Sequence, residues 1–252
     1  MRSCVADVDG DPGGKGLGGV AVRLKGRFDV VRSDCLVGGG GQCELEALAD
    51  RYRRFKFRHF APNQDHYEQL ATYGQNPEVM VVSCCDSRCD PETIFSAMPG
   101  ELFVMRNVAN LVPPFETTGR FHGVSAALEF AALNLRVKHI VILGHSGCGG
   151  VRACLEEEAA RQTAAQFIRN WMSMLHEARD TVLKRTDLQP GPEQRAALER
   201  EGIKTSLANL RTFPCIQILE SKGRINLHGA YFDIATGELS VLNAASDAFV
   251  PV

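Results

Sequence analysis

Two short segments of this 252-residue chain bring together residue types that bind metals. Residues 83–88 read Ser-Cys-Cys-Asp-Ser-Arg, and residues 144–148 read Gly-His-Ser-Gly-Cys. Cysteine thiolate and histidine are ligands that zinc prefers in proteins. The residue types therefore predict a zinc site with an aspartate and an arginine beside it. A redox-active thiol and a structural cysteine cluster are the alternative interpretations.

Each segment follows a short apolar run that is typical of a buried strand. Residues 79–82 precede the first segment, and residues 139–143 precede the second. Because the carboxyl ends of parallel strands meet at one edge of an open α/β sheet, we expect both segments at that edge. A strand at 101–106 and helices at 122–136 and after residue 149 continue the alternation. The pattern predicts an α/β fold with a central, mostly parallel β-sheet flanked by helices.

The start of the chain differs from the rest in composition. Residues 1–43 are rich in glycine, which predicts a flexible extension; an upstream translation start that adds nonfunctional residues explains them equally well. Residues 44–252 are expected to form a single domain that opens with an amphipathic N-terminal helical arm. Basic and aromatic residues alternate at 51–58, as in some RNA-binding faces. A solvated helix face whose aromatics pack inward or against a partner subunit is the simpler interpretation.

Helices and strands are also expected in the second half of the chain. Residues 160–211 have helical periodicity, with an interruption near residues 189–192. Three apolar stretches close the chain, at residues 215–219, 225–233 and 239–242. A hairpin turn is predicted at residues 235–238, between the last two stretches.

Composition excludes several classes of partner and location. The net charge of −2 gives no reason to expect nucleic acid or an anionic membrane as a partner. No apolar run is long enough to span a bilayer. The nine cysteines are odd in number and lack the spacing of a disulfide framework, which favours a reducing cytoplasm.

Spacing alone does not choose the metal ligands among the neighbouring cysteines. Cys84 and Cys85 point to opposite faces if both lie on a strand, so only one of them should face the site. Cys89 and Cys154 are further candidates. A catalytic zinc would use three protein ligands and keep a fourth position for water, whereas a structural zinc would use four.

Longer motifs resemble the β-class carbonic anhydrases, in their plant-like subgroup and bacterial type. The motifs are Cys84-x-Asp86-Ser87-Arg88, then Arg106-Asn107-Val108-Ala109-Asn110, then His145-x-x-Cys148-Gly149-Gly150. The resemblance runs from about residue 52 to residue 242. It implies that family's fold and the reversible hydration of carbon dioxide to bicarbonate and a proton, by attack of zinc-bound hydroxide. The alternatives on the same fold are a hydrolase acting on carbon disulfide or carbonyl sulfide and a non-catalytic zinc protein with a closed site.

The resemblance also implies roles for residues of the two segments. It assigns Cys84, His145 and Cys148 as the zinc ligands. Asp86 and Arg88 match the family's dyad, in which the arginine holds the aspartate and the aspartate orients the hydroxide. If the arginine releases it, Asp86 becomes a possible fourth ligand that closes the site.

The substrate pocket is assigned in the same way. Gln75 matches a substrate-binding glutamine, and Phe103, Val108 and Phe130 match apolar positions that would surround carbon dioxide. Phe130 departs from a tyrosine often found there, which removes a hydroxyl that could assist proton movement. Val81 replaces the tryptophan of the subgroup regulated by a noncatalytic bicarbonate site, so that regulation is not expected.

Proton transfer and assembly complete the expectations. His122 is a candidate proton shuttle because imidazole titrates near neutral pH, although a histidine at a helix start needs no such role. The resemblance implies a homodimer or homotetramer, with N-terminal helices gripping the neighbouring subunit and the site near the interface. The only other expected partner is the small-molecule substrate.

Overall fold

The computed structural model describes residues 40–156 and 166–252, and the chain divides into two units, residues 1–57 and 58–252. In the first unit, helix α1 spans Gly40–Phe55, so the helix predicted from residue 44 begins earlier. Residues 1–39 of the predicted glycine-rich extension lie outside the part of the chain that the structure describes. The structure describes no helix, in either range, that is long and apolar enough to cross a membrane.

The second unit is built on one sheet of six strands, in the order β2-β1-β3-β4-β5-β6. The strands are β1 (Val79–Cys84), β2 (Leu102–Asn107), β3 (His139–His145), β4 (Asn226–Phe232), β5 (Leu239–Asn243) and β6 (Ala248–Pro251). The first four run parallel, and β5 and β6 join as antiparallel neighbours. The predicted mostly parallel sheet and the hairpin between β4 and β5 are confirmed, whereas β6 was not predicted.

Helices precede, connect and flank the strands. They are α2 (Gln64–Tyr73), α3 (Pro91–Ile94), α4 (Gly123–Glu129), α5 (Gly149–Leu155), α6 (Gln166–Met172), α7 (His176–Leu183), α8 (Pro192–Leu210) and α9 (Pro214–Ser221). Short 3₁₀ or π turns occur at Lys56–Phe60, Ala61–Asn63, Val108–Asn110, Phe130–Leu135 and Ser173–Leu175. The apolar stretch 215–219 lies in α9, because Pro214 starts a helix and so short a run has no diagnostic period. Part of the predicted helical stretch, residues 160–165, lies outside the described residues.

The core fixes where each strand faces. Met80 and Val82 of β1 and Ile140 and Ile142 of β3 are fully buried and pack in one cluster with α4, α8 and α9. Val81 points to the opposite face, into a smaller cluster. Apolar residues on both faces explain why these strands read as continuous apolar runs rather than as alternating patterns.

The register of β1 against β3 positions the two metal-binding segments. Val79 lies opposite His139, and Ser83 lies opposite Leu143. The two strands are parallel neighbours, so their carboxyl ends lie side by side. The segments that follow them therefore leave the same edge of the sheet, as predicted.

Two glycines let α8 approach the sheet closely. A Cβ atom added at Gly144 of β3 would lie 2.7 Å from Cδ1 of Ile203, and one added at Gly229 of β4 would lie 2.8 Å from Cγ2 of the same side chain. Neither distance is compatible with a relaxed contact. The position of α8 therefore depends on the absence of side chains at these two positions.

We expect Gly229→Ala to destabilise the protein by about 1–3 kcal/mol, because the new methyl group overpacks a core that has no room for it. The free energy of unfolding from urea denaturation measures the change. Gly123→Ala at the start of α4 is the control, since its added Cβ meets no atom within 4 Å. Equal stability of the two variants would contradict the close approach of α8.

Candidate metal centre

Cys84, His145 and Cys148 converge at the carboxyl edge of the sheet. Their sulfur and ring-nitrogen atoms lie within 4.8 Å of one another, and all three residues are buried. Cys84 ends β1, His145 ends β3, and Cys148 directly precedes α5. Within the described residues this is the group of three or more potential ligands that could hold a metal ion.

A sharp turn brings Cys148 back towards His145. Gly147 adopts a φ of +70°, a backbone conformation that costs glycine little. Cys148 follows with extended backbone, and α5 begins at the next residue. The left-handed backbone conformation of Gly147 thus brings His145 and Cys148, which are close in the sequence, into spatial contact.

The ring of His145 is oriented for a ligand. Its Nδ1 lies 3.0 Å from the carbonyl oxygen of Ser146, which can only accept, so Nδ1 carries the proton. Its Nε2 is buried and has no hydrogen-bond partner among the described residues. A buried nitrogen with an unused lone pair beside two sulfurs fits a metal ion.

The two thiols differ in how readily they ionise. Interaction with the adjacent Cys148 thiol lowers the pKa of Cys84 well below its usual value. The same interaction, together with burial, raises the pKa of Cys148, because a second negative charge beside the first is costly. A divalent cation between the sulfurs would allow both to ionise, so the donor set fits a cation that prefers thiolates.

Asp86 and Arg88 form a bidentate ion pair beside this group. Oδ1 of Asp86 accepts from Nε of Arg88 at 2.9 Å and from its backbone N–H at 3.0 Å, and Oδ2 accepts from Nη2 at 2.7 Å. The guanidinium holds the pKa of Asp86 well below its usual range. Nη2 also donates to the carbonyl of Gly147 at 3.3 Å, so Arg88 links the two segments.

Arg106 holds the first segment in place. Its guanidinium donates to the backbone carbonyls of Cys84 at 2.9 Å and Asp86 at 2.6 Å, and pairs with Asp90 at 3.1 Å. The other carboxylate oxygen of Asp90 caps α3 by accepting from the backbone N–H of Thr93. Arg106 belongs to one of the motifs, but sequence analysis assigned it no role.

The segment after β2 contacts the carboxyl edge of the sheet where Cys84, His145 and Cys148 converge, which we call the metal edge. The backbone N–H of Ala109 donates to the sulfur of Cys84 at 3.3 Å, and Ala109 adopts a φ of +63°. The side chain of Asn107 bonds both the N–H and the carbonyl of Leu111, which bridges this turn. An N–H donated to sulfur favours the thiolate, so the left-handed residue contributes to the site.

The competing cysteines occupy different surroundings. Cys85 is exposed. Cys89 is buried, and its thiol donates to the carbonyl of Asp86 at 3.3 Å. The thiol of Cys154 donates to the carbonyl of Met172 at 3.8 Å. Among the described cysteines, the structure therefore brings only Cys84 and Cys148 into the ligand group.

The predicted pocket residues do not all lie together. Val108 lies near the metal edge, where the Trp171 indole N–H donates to its carbonyl at 2.8 Å. Phe103 and Phe130 contact each other with ring centroids 5.8 Å apart. Asn107 pairs with Cys84 across the two strands, and Phe103 lies four residues before Asn107, or about 13 Å away along β2. Gln75 is exposed in the irregular segment that enters the opposite, amino end of β1.

His122 lies beside a cavity rather than in the ligand group. It directly precedes α4, and the cavity of about 430 Å³ is lined in part by Phe121, Trp171 and Met174. Its Nε2 is buried and has no hydrogen-bond partner in the described part of the chain. Trp171 connects this cavity to Val108 and hence to the metal edge.

Two residues that sequence analysis missed support the site from α8 and β4. The N–H of Cys148 donates to Oε1 of Glu199 at 2.9 Å, and the hydroxyl of Tyr231 donates to Oε2 at 2.8 Å. Burial raises the pKa of Glu199. The sequence signal that could have identified Glu199 is an acidic residue within the stripe of buried, mostly apolar positions along α8.

Comparisons with known proteins point to one family. Residues 79–239 match the protein family described as "Carbonic anhydrase". The chain is 31% identical over 194 residues to "Beta carbonic anhydrase 3" of Arabidopsis thaliana, covering 77% of this chain and 74% of that protein.

Solved structures show the same fold. The β-carbonic anhydrase CcaA superposes with a TM-score of 0.78 at 30% identity, over 83% of this chain and 92% of that one. A tetrameric β-carbonic anhydrase from the ascomycete Sordaria macrospora gives a TM-score of 0.69 at 28% identity, over 81% and 98%. Enzymes of this family use zinc, a metal that the donor set fits. The chain belongs to the β-class carbonic anhydrases.

Proposed function

We propose that this chain hydrates carbon dioxide reversibly to bicarbonate and a proton, at a zinc ion held by Cys84, His145 and Cys148. The convergence of two thiols and an unpartnered imidazole nitrogen within 4.8 Å carries this proposal. Zinc, when bound, lowers the pKa of coordinated water and so supplies a nucleophile near neutral pH. In this proposal the protein orients the nucleophile, excludes water from the substrate pocket and carries away the released proton.

In this proposal Asp86 orients the nucleophile. Oδ1 accepts two hydrogen bonds from Arg88, whereas Oδ2 accepts one, from Nη2. A carboxylate oxygen has two lone-pair sites, so Oδ2 retains one for an O–H of the nucleophile. The lowered pKa keeps Asp86 ionised, and therefore able to accept, throughout the neutral range.

The Arg88 contacts also support the open form of the site. Asp86 is not a member of the group whose ligand atoms lie within 4.8 Å in the described chain. To become a fourth ligand it would have to give up contacts that engage both of its oxygens. We take the paired arrangement as the active one and the released arrangement as an inhibited one.

Assembly would supply the rest of the substrate pocket. Phe103 lies about 13 Å along its strand from the residue paired with Cys84, too far for its ring to reach the metal of its own chain. The contact between Phe103 and Phe130, and the position of Gln75 at the amino end of β1, place all three away from that metal. We propose a homodimer or homotetramer in which these residues complete the metal centre of a second copy.

We also place the protein in the cytoplasm. The free thiols of the second unit are Cys84, Cys85, Cys89, Cys148, Cys154 and Cys215. Two of them serve as ligands in this proposal, and thiolate ligands need a compartment that keeps them reduced.

The ligand assignment predicts a joint loss of metal and activity. Cys84→Ser, His145→Ala and Cys148→Ser should each lose bound zinc and carbon dioxide hydration, because three protein ligands are the minimum for this type of site. Zinc content by metal analysis and proton release on rapid mixing with carbon dioxide measure the two quantities. Wild-type protein with zinc bound and a rate no better than buffer would overturn the proposed function.

Cys85→Ser is the matched control for this series. Cys85 is the neighbour of Cys84 in sequence but is exposed. We expect near-normal zinc content and turnover. Loss of zinc in Cys85→Ser, with zinc retained in Cys84→Ser, would show that the ligand assignment is wrong.

The orienting role of Asp86 predicts that Asp86→Ala keeps zinc but lowers turnover about 10- to 100-fold, as is usual for groups that position metal-bound chemistry. Asp187→Ala is the control, because Asp187 forms an exposed pair with an arginine, Arg185, at the same sequence separation of two residues. Its turnover should be unchanged. Near-normal turnover of Asp86→Ala would refute the role.

Shared sites predict complementation between two defective variants. Gln75→Ala and His145→Ala, unfolded and refolded together, should form mixed dimers in which one site is intact. Random pairing would then restore about a quarter of wild-type activity. Refolding each variant alone is the control. No gain in the mixture, or a monomer by light scattering, would contradict the shared site.

A further inference from the structure

Glu199 is a buried acidic residue, and both of its carboxylate oxygens accept a hydrogen bond. It lies in the middle of α8 and is 4% exposed. Burying a carboxylate costs several kcal/mol unless hydrogen bonds and charges compensate for the lost water. Such a residue in a stripe of mostly apolar positions therefore calls for a specific role.

The two carboxylate oxygens contact different parts of the metal edge. Oε1 accepts the backbone N–H of Cys148 at 2.9 Å. Oε2 accepts the hydroxyl of Tyr231 at 2.8 Å. Tyr231 lies on β4 directly opposite Gly144, the residue before His145 on β3. Glu199 thus joins the turn that carries Cys148 to β4, and β4 is the neighbour of β3, the strand that carries His145.

Basic groups compensate the buried charge and hold the network in place. Nε of Arg195, one turn earlier on α8, lies 3.8 Å from Oε1 of Glu199. The guanidinium of Arg200 lies over the ring of Tyr231, with its central carbon 4.1 Å from the ring centroid. The carboxylate therefore has two donors and a nearby cation, and its orientation is fixed from both sides.

Backbone position controls the sulfur of Cys148. A cysteine side chain has one torsion between its Cα and its sulfur, so the sulfur position follows from the backbone and one rotamer. The backbone here follows Gly147, at which the chain turns with a positive φ. Arg88 holds the carbonyl of Gly147 in this turn, and Glu199 holds the N–H of Cys148 in the same peptide group from the side of α8.

We propose that Glu199 is a positioning residue for the metal centre, which acts by fixing the backbone of Cys148 so that its sulfur meets Cys84 and His145. This inference rests on the proposed function, since it takes Cys148 as a metal ligand. It adds a residue on α8, about fifty positions along the chain from that ligand. Tyr231 supports Glu199 in turn.

Metal affinity tests the proposal without any measurement of catalysis. We expect Glu199→Ala to weaken zinc binding about 10- to 100-fold, as for other groups that orient metal ligands. Competition with a chromophoric chelator measures the affinity of the folded protein for zinc. Cobalt(II) substitution gives an independent reading, because the thiolate-to-cobalt absorption band should lose intensity or shift in Glu199→Ala.

A conservative variant separates positioning from packing. The side-chain oxygen of Glu199→Gln can still accept from Cys148, and its amide can donate to the oxygen of Tyr231. We expect it to recover most of the zinc affinity and the wild-type cobalt spectrum. Tyr231→Phe keeps the Cys148 contact but loses one anchor, so its affinity should fall between those of wild type and Glu199→Ala.

Glu201→Ala is the matched control on the same helix. Glu201 pairs with Lys204 rather than with the metal edge, so its loss should leave zinc affinity unchanged. A merely structural Glu199 would lower the thermal midpoint of Glu199→Ala while zinc affinity and the cobalt spectrum stayed at wild-type values, and that result would overturn the inference. Wild-type protein that binds no zinc would instead overturn the proposed function, and this inference with it.

Discussion

The convergence of two sulfurs and one imidazole nitrogen within 4.8 Å is the constraint on which the rest of this structure depends. The three donors come from two segments more than fifty residues apart, so no local interaction can bring them together. Adjacent parallel strands solve this problem, because their register places the ends of β1 and β3 side by side. The glycines at 144 and 229 then allow α8 to pack close behind the same edge.

Charged side chains fix the turns that carry the donors. Arg106 binds two carbonyls of the first segment, and Glu199 binds the N–H of Cys148 in the second. Helix α8 also supports the turn after β2, since the Ser206 hydroxyl donates to the carbonyl of Asn110 and accepts from a nearby N–H. Buried charges contribute little net stability, but they restrict geometry, and a metal centre needs restricted geometry.

The ion pair of Asp86 and Arg88 links these supporting contacts to the proposed orientation of the nucleophile. Arg88 engages both carboxylate oxygens and also the carbonyl of Gly147, so one side chain holds the acid in place and joins the two turns. Two of the apolar residues expected around the substrate, Phe103 and Phe130, contact each other away from this edge. In the proposed function, a second copy of the chain would therefore complete the substrate pocket beside the metal edge.

The sequence by itself determined strands β1 to β5, their mostly parallel arrangement and the edge where the site lies, because apolar runs and the residues after them are local properties. Motif resemblance added the choice of Cys84 over Cys85, which strand periodicity left open. Only the tertiary structure revealed Arg106 and Glu199 as supports, since each acts on backbone atoms of residues distant in the chain. It alone decided that Phe103 lies away from the metal of its own chain, because strand register, rather than residue type, sets that distance.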